Sequence, residues 1–268
     1  MCPSKDIKSD ESEKCIECHP IMKKQGYVAV IDVLGFSELS LKEDRIIDFI
    51  TRFYNLLVEV NNKYKKNLQF ILASDTIFIA TDDDSEESFR DITYACSYLL
   101  FKYIRWEFPI KGCISYGDYI IYNGLFHNEV VPTTIYGPPI IDAHNYENDL
   151  NWIGIMISPL AIERNFGIFN IEFGLEKNIR IKRCHKIPFK DGTFLDGLAL
   201  LPLGGHSEAG AVILLTIDES IKNLTGLKLI SKKQKDQQKY ENSILWLQDV
   251  KNQIVSQLPP QTPPRRKK

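Results

Sequence analysis

The stretch YVAVIDVLGFSEL, Tyr27 to Leu39, constrains this chain more than any other. Its first half is a short continuous apolar run, the signature of a strand buried on both faces. The run ends in a single carboxylate, Asp32, followed by a Gly-Phe-Ser step and a helix start. An aspartate at the end of a buried strand either caps a turn or faces a cation. Taken alone, the stretch leaves both open.

The pattern after Asp32 is orderly. Ser40 and Glu43 have the spacing of a capping box, and Ile46, Ile47, Ile50, Phe53, Leu57 and Val60 follow at helical spacing, predicting a helix to Asn62. LQFILAS and TIFIAT are two β-rich runs meeting at Ser74-Asp75, a hairpin signal. The acidic TDDDSEES stands where a helix dipole favours negative charge, and Phe89, Ile92, Cys96, Leu99, Leu100 and Tyr103 form the stripe of the helix behind it. IKGCISYGDYIIY and VVPTTIYG read as strands, PPIIDAHNYENDLN as a helix opened by prolines, and WIGIMISP as a strand. The order from Tyr27 to Pro159 is β-α-β-β-α-β-β-α-β, which predicts an α+β fold. Its core is ferredoxin-like, with helices on one face of a mostly antiparallel sheet. Residues 160–230 read as further strands and loops, and Tyr240, Ile244, Leu247, Val250 and Ile254 mark a C-terminal amphipathic helix. The expected divisions are a flexible leader at 1–25, a core domain at 26–160, a C-terminal extension at 161–258 and a disordered basic tail at 259–268.

Charge and cysteine usage narrow the partners. A formal net charge of −2 provides no basic field for nucleic acid, and the closing PPRRKK is too short and proline-bound to fold. The polar, acidic N-terminus does not resemble a secretory signal. The longest apolar runs fall well short of the ~20 residues that span a bilayer. A cytoplasmic protein with reduced thiols is expected. CIECH, Cys15 to His19, matches the spacing of covalent haem attachment, which requires export. A zinc site would need Cys2 to complete Cys15, Cys18 and His19. An incidental match within the leader is the simpler expectation.

Two carboxylates carry the chemistry. Asp32 ends the first strand, and Asp75 sits in the hairpin between the second and third. The β-α-β-β order brings these strands together, so the two side chains are expected to converge. Paired carboxylates repel unless a cation lies between them, and oxygen ligands select Mg2+ or Mn2+. Gly35 permits a sharp turn, so that backbone N–H groups of residues 33 to 37, including Phe36 and Ser37, are expected to face a phosphate. Two divalent ions beside such a turn suit attack on an α-phosphate. Either aspartate alone reads as a turn or cap residue.

VIDVLGFSEL and ILASDTIFIA resemble the two metal-binding motifs of class III nucleotidyl cyclases, and IYGPPIIDAHNYE is similar to their later strand-turn-helix segment. The resemblance covers roughly residues 27 to 160. It implies a homodimer with active sites at the interface, in which a 3′-hydroxyl attacks the α-phosphate of a nucleoside triphosphate. Asp32 and Asp75 would hold both metals, with the Val33 carbonyl as an extra ligand. The chain departs from the purine cyclases at the base-reading position before the second aspartate, where it has Ile71. The adenine-reading aspartate falls on Thr134, and the transition-state Asn and Arg fall on Ile141 and Asn145. With these departures, and with KGCISYGDYI, the chain looks most like the bacterial pyrimidine cyclases of Pycsar anti-phage defence. That resemblance implies cyclic UMP or cyclic CMP made from UTP or CTP, and a downstream effector activated by the product. Lys111 is the expected contact to triphosphate or base, reading equally as a solvated strand-end lysine, and Tyr64 is expected to help read a pyrimidine from the turn before the second strand. Two other classes stay open: a palm-type polymerase or diguanylate-type enzyme, although no GG[DE]EF stretch is present, and a binding module that has kept the fold and lost the chemistry.

Overall fold

In the computed structural model the apolar run around Tyr27 is the centre of a twelve-residue strand, β1 (Met22–Val33). The structure describes residues 22–63, 68–122, 125–126, 129–130, 133–165, 180–204 and 210–257. Expectations for most of the leader, the CIECH stretch, Tyr64 and the basic tail lie outside the described residues. β1 opens five residues before Tyr27, so the structured core starts earlier than the apolar pattern indicates.

Chain order continues through a short helix α1 (Phe36–Ser40), α2 (Glu43–Lys63), the hairpin β2 (Leu68–Ala73) and β3 (Thr76–Thr81), and α3 (Glu86–Arg105). Then come β4 (Ile110–Tyr122), β5 (Leu125–Phe126), β6 (Glu129–Val130), β7 (Thr134–Tyr136), α4 (Pro138–Asp149), β8 (Gly154–Ile157) and α5 (Pro159–Arg164). After these lie β9 (Ile181–Pro188), β10 (Phe194–Leu200), α6 (Gly210–Ile230) and α7 (Gln234–Gln257).

The main sheet runs β2-β3-β1-β4-β8-β10-β9, with β7 paired to β4. Every pairing in it is antiparallel except β4 with β8. β1 lies inside the sheet between β3 and β4, and Val28, Ala29, Val30 and Ile31 are fully buried. A strand covered on both faces needs no polar alternation, which is why the run is continuous. β9 and β10 belong to this same sheet, so residues after 160 extend the core.

The α+β class and the mostly antiparallel sheet are as expected, but the helices cover both faces. Successive side chains on a strand point to opposite sides. Tyr27 packs on Phe89 of α3, whereas Ser115, the register partner of Val28, donates to Asp142 of α4 at 2.5 Å. α3 and α4 therefore lie on opposite sides of β1 and β4. α2 joins α3, with Phe49 packed edge-on against Tyr103 and Phe108.

Local sequence signals account for most boundaries. Ser85 caps α3, accepting from the Ser88 N–H at 3.1 Å. Two boundaries differ from those the sequence pattern predicts. Ser40 does not open the long helix; it closes α1, its hydroxyl donating back to the Phe36 carbonyl at 2.9 Å. Within the stretch expected as strands and loops, Gly210–Ile230 is the helix α6, which buries Ile213, Ile217, Leu224 and Leu227. The four-and-three spacing of those residues is a helical period that the apolar run AVILLTI obscures. α7 is the expected C-terminal helix, burying Ile244, Leu247, Val250 and Ile254. Among the described residues no helix is long and apolar enough to cross a membrane.

Candidate active site

Asp32 and Asp75 meet through backbone pairing. Asp32 is the register partner of Thr76 in β3, one residue after Asp75. The Val33 N–H donates to the Asp75 carbonyl at 3.1 Å, which ties the β2–β3 turn to the end of β1. Ser74 adopts φ 59°, a left-handed conformation that closes this turn in two residues. Both carboxylates are half-buried, and among the described residues neither closes an ion pair or accepts a side-chain hydrogen bond.

Gly35 sits beyond them with φ 78° and precedes α1. This left-handed step is cheap only for glycine. The expected row of free backbone donors is shorter than residues 33 to 37. The Val33 N–H goes to Asp75 and the Leu34 N–H to the Pro109 carbonyl at 2.9 Å. Gly35, Phe36 and Ser37 remain beside the turn, with Phe36 packed edge-on to Phe49.

On the other side of β1, Lys111 is the register partner of Asp32. Its ammonium does not face solvent. It bonds the Glu147 carboxylate at 2.5 Å and the Glu147 carbonyl at 2.6 Å, both residues being nearly fully buried. The Asn148 carbonyl lies at 3.5 Å. Lys111 thus caps the C-terminus of α4, where the dipole favours a cation, and is committed to this buried pair rather than standing solvated at the strand end or free to meet a triphosphate or base.

These charges act on Asp32. Burial, and then the nearby Glu147 carboxylate, push its pKa up to about 6, with Asp75 adding to the rise and Lys111 opposing it. Lys239 of α7 also opposes it. Lys190, beyond β9, donates to the Asn148 side chain at 3.3 Å, and burial, Lys111 and Lys239 hold its pKa below the usual lysine range. Sequence reading missed Glu147, Lys190 and Lys239. Glu147 stands 36 residues from its partner in sequence, and nothing local marks it.

The donor set fits a hard divalent cation. It consists of two carboxylates without a direct ion pair, although among the described residues no group of three or more His, Cys, Asp or Glu gathers around an ion position. Two carboxylates with water and phosphate oxygens are what Mg2+ commonly takes.

Ile71 is half-buried on β2, opposite Phe78. Thr134 is exposed on β7, and Ile141 is exposed on α4. Asn145 lines a cleft of about 660 Å3 with Asp142, Tyr146, Asp149, Phe189 and Lys190.

No family model matches the chain, and no curated protein does. Among solved structures, the adenylyl cyclase CyaB from P. aeruginosa is 17% identical, covering 68% of this chain and 95% of its own, with a TM-score of 0.44. The catalytic core of a rhodopsin-guanylyl cyclase with converted specificity, in complex with ATPαS, is 10% identical over 68% of this chain and 97% of its own, with a TM-score of 0.47. A bacterial light-regulated adenylyl cyclase is 11% identical over 76% of this chain and 60% of its own, also at 0.47.

Proposed function

We propose that this protein is a metal-dependent nucleotide cyclase acting on a pyrimidine nucleoside triphosphate, with UTP ahead of CTP. The products are the 3′,5′-cyclic monophosphate and pyrophosphate. The observation that carries this function is the adjacency of Asp32 and Asp75, two half-buried aspartates whose backbones are brought together by the β1–β3 register and by the Val33–Asp75 hydrogen bond.

Asp32 and Asp75 would hold the Mn2+ or Mg2+ ions, with the Val33 carbonyl beside them. Bound there, the ions supply Lewis acidity to the 3′-hydroxyl and positive charge to the departing pyrophosphate. Asp32, with its pKa at about 6, is ionised at neutral pH and protonated in mild acid. The Gly35 turn leaves room for the triphosphate, with Phe36 and Ser37 at its edge. At Ile71 the chain lacks the lysine or glutamate that reads a purine in the cyclases its sequence resembles, which argues against a purine and leaves a pyrimidine as the proposed base. In the same proposal the protein acts as a homodimer with sites at the interface, and its cyclic product serves as a second messenger for an effector in anti-phage defence.

Incubating the full-length protein with Mn2+ and each of the four nucleoside triphosphates tests this function. Cyclic UMP or cyclic CMP, absent with Asp75→Ala, supports it. Linear or dimeric products point instead to a palm-type polymerase.

One observation favours a second reading, a nucleotide-binding module without turnover. The positions matching the transition-state Asn and Arg are Ile141, exposed, and Asn145, set between Asp142 and Asp149. Neither supplies positive charge. Nucleotide binding that survives chelation, with no product, would support that module.

A further inference from the structure

Helix α7 crosses the edge of the site. Just before it, Lys233 pairs with Glu38 of α1, three residues past Gly35. Two turns further on, Asn242 donates to the Asn151 carbonyl at 2.7 Å, and the Ser243 hydroxyl accepts from the Ile153 N–H at 2.7 Å. Those residues lead into Gly154, the register partner of Lys111, which in turn pairs with Asp32. The first turns of α7 therefore span from the α1 side of Asp32 to its β8 side.

Lys239 lies on this span. Its side chain is only 12% exposed, and lysines are rarely so enclosed without a strong partner. Its ion pair is with Asp236, one turn earlier on the same helix, at 3.3 Å. A pair of this i,i+3 kind within one helix contributes little, and its Asp236 partner is one-third exposed, so a polyanion can replace it. The Lys239 charge acts on both Asp32 and Lys190. Lys111, the nearer lysine in register, is already committed to Glu147. Lys239 is thus an enclosed ammonium on the Asp32 side of the site whose ion pair is confined to its own helix.

We propose that Lys239 binds the phosphates of a nucleoside polyphosphate at the Asp32/Asp75 site, so that the C-terminal helix adds a phosphate contact from the same chain that carries the two carboxylates. The proposal rests on the function above for the identity of the ligand. It assigns a task to α7, which lies beyond the stretch where the sequence resembles nucleotidyl cyclases. An ammonium on a flexible stem can follow a phosphate as a point charge. Its attraction is strengthened where water is largely excluded.

The test is calorimetric titration of inorganic tripolyphosphate, in the presence of Mn2+, into full-length wild type, Lys239→Met, Lys239→Arg and Lys251→Met. Lys251 pairs with Asp218 of α6, away from the site, and serves as the control. The expected result is binding weakened about tenfold or more in Lys239→Met, as befits loss of a charge-assisted contact. Lys239→Arg should stay within about threefold of wild type, and Lys251→Met should be unchanged. Equal binding by Lys239→Met and wild type overturns the proposal, as does a wild type that binds no tripolyphosphate. Thermal melts accompany each titration, and if Lys239→Met does not fold, Lys239→Gln replaces it. Failure of both to fold overturns the proposal, since Lys239 is then structural. Where a nucleotide turns over, the methionine variant should raise KM with little change in kcat, a split that general loss of structure does not produce. Wild-type binding of tripolyphosphate without cyclic product from any nucleotide sinks the proposed function and leaves the Lys239 assignment standing.

Discussion

The Val33 N–H donates to the Asp75 carbonyl at 3.1 Å, and this one bond joins the hairpin turn to the end of the central strand. It sets two acidic residues side by side although 43 positions separate Asp32 from Asp75 in the chain. Neither is offset by a direct ion pair among the described residues, and the local electrostatics follow from that.

The first consequence concerns stability. Asp32 has its pKa pushed up to about 6 by burial and by Glu147, against an ordinary value near ~4. Between those values the folded protein retains a proton that the unfolded chain has released. Stability of the metal-free protein therefore falls as pH rises through that window, and the cost is fully present above it. Asp32→Asn should stabilise the metal-free protein at pH ~7.5 by about 1–2 kcal/mol, discounted for solvent screening at a half-buried site. Thermal melts of both proteins in chelator check this, and the gain should vanish near pH ~4.

A second consequence concerns metal binding. Protons and divalent cations compete for Asp32, so Mn2+ affinity should rise as pH passes through about 6 and level off above it. Titration calorimetry at several pH values reads this, with about one proton released per binding event on the acid side. Asp32→Asn should abolish both the binding and the proton release.

The buried Lys111–Glu147 pair gives a third. Lys111→Met leaves a carboxylate that is 5% exposed without its ammonium, at a cost of about 3–5 kcal/mol. Urea denaturation should show that loss, and the double variant Lys111→Met/Glu147→Met should recover most of it, because no buried charge is then left unpaired.

Glycine supplies a fourth. A Cβ at Gly35 meets nothing within 4 Å, so Gly35→Ala should cost only the left-handed backbone penalty, about 1–2 kcal/mol. A Cβ at Gly112 would stand 2.7 Å from the Val30 carbonyl oxygen, and Gly112→Ala should cost more because the strands must part. Chemical denaturation of the two variants, compared directly, checks the order.

The sequence makes the order of elements and one half of the site legible, for identifiable reasons. β1, the β2–β3 hairpin and α3 carry local signals in their apolar runs, turn residues and cap, and these predict Asp32 beside Asp75. What was missed depends on contacts distant in sequence. The Lys111 side chain is captured by Glu147 across a sheet-helix interface, and no local pattern shows that a strand-end lysine will turn inward. α6 escapes the sequence pattern because an apolar run fits a strand and a helix equally until its burial period is known. The contact between the start of α7 and α1, Lys233 on Glu38, joins residues 195 apart in sequence and has no local signal.

The central claim is that Asp32 and Asp75 together cyclise a pyrimidine nucleotide. Phosphorus NMR of UTP or CTP incubated with Mg2+ and the full-length protein tests it most directly, with Asp75→Asn run in parallel. The account predicts pyrophosphate and a 3′,5′-cyclic monophosphate appearing together with wild type, and neither with Asp75→Asn. Unchanged triphosphate in both samples, or the same products in both, would contradict it.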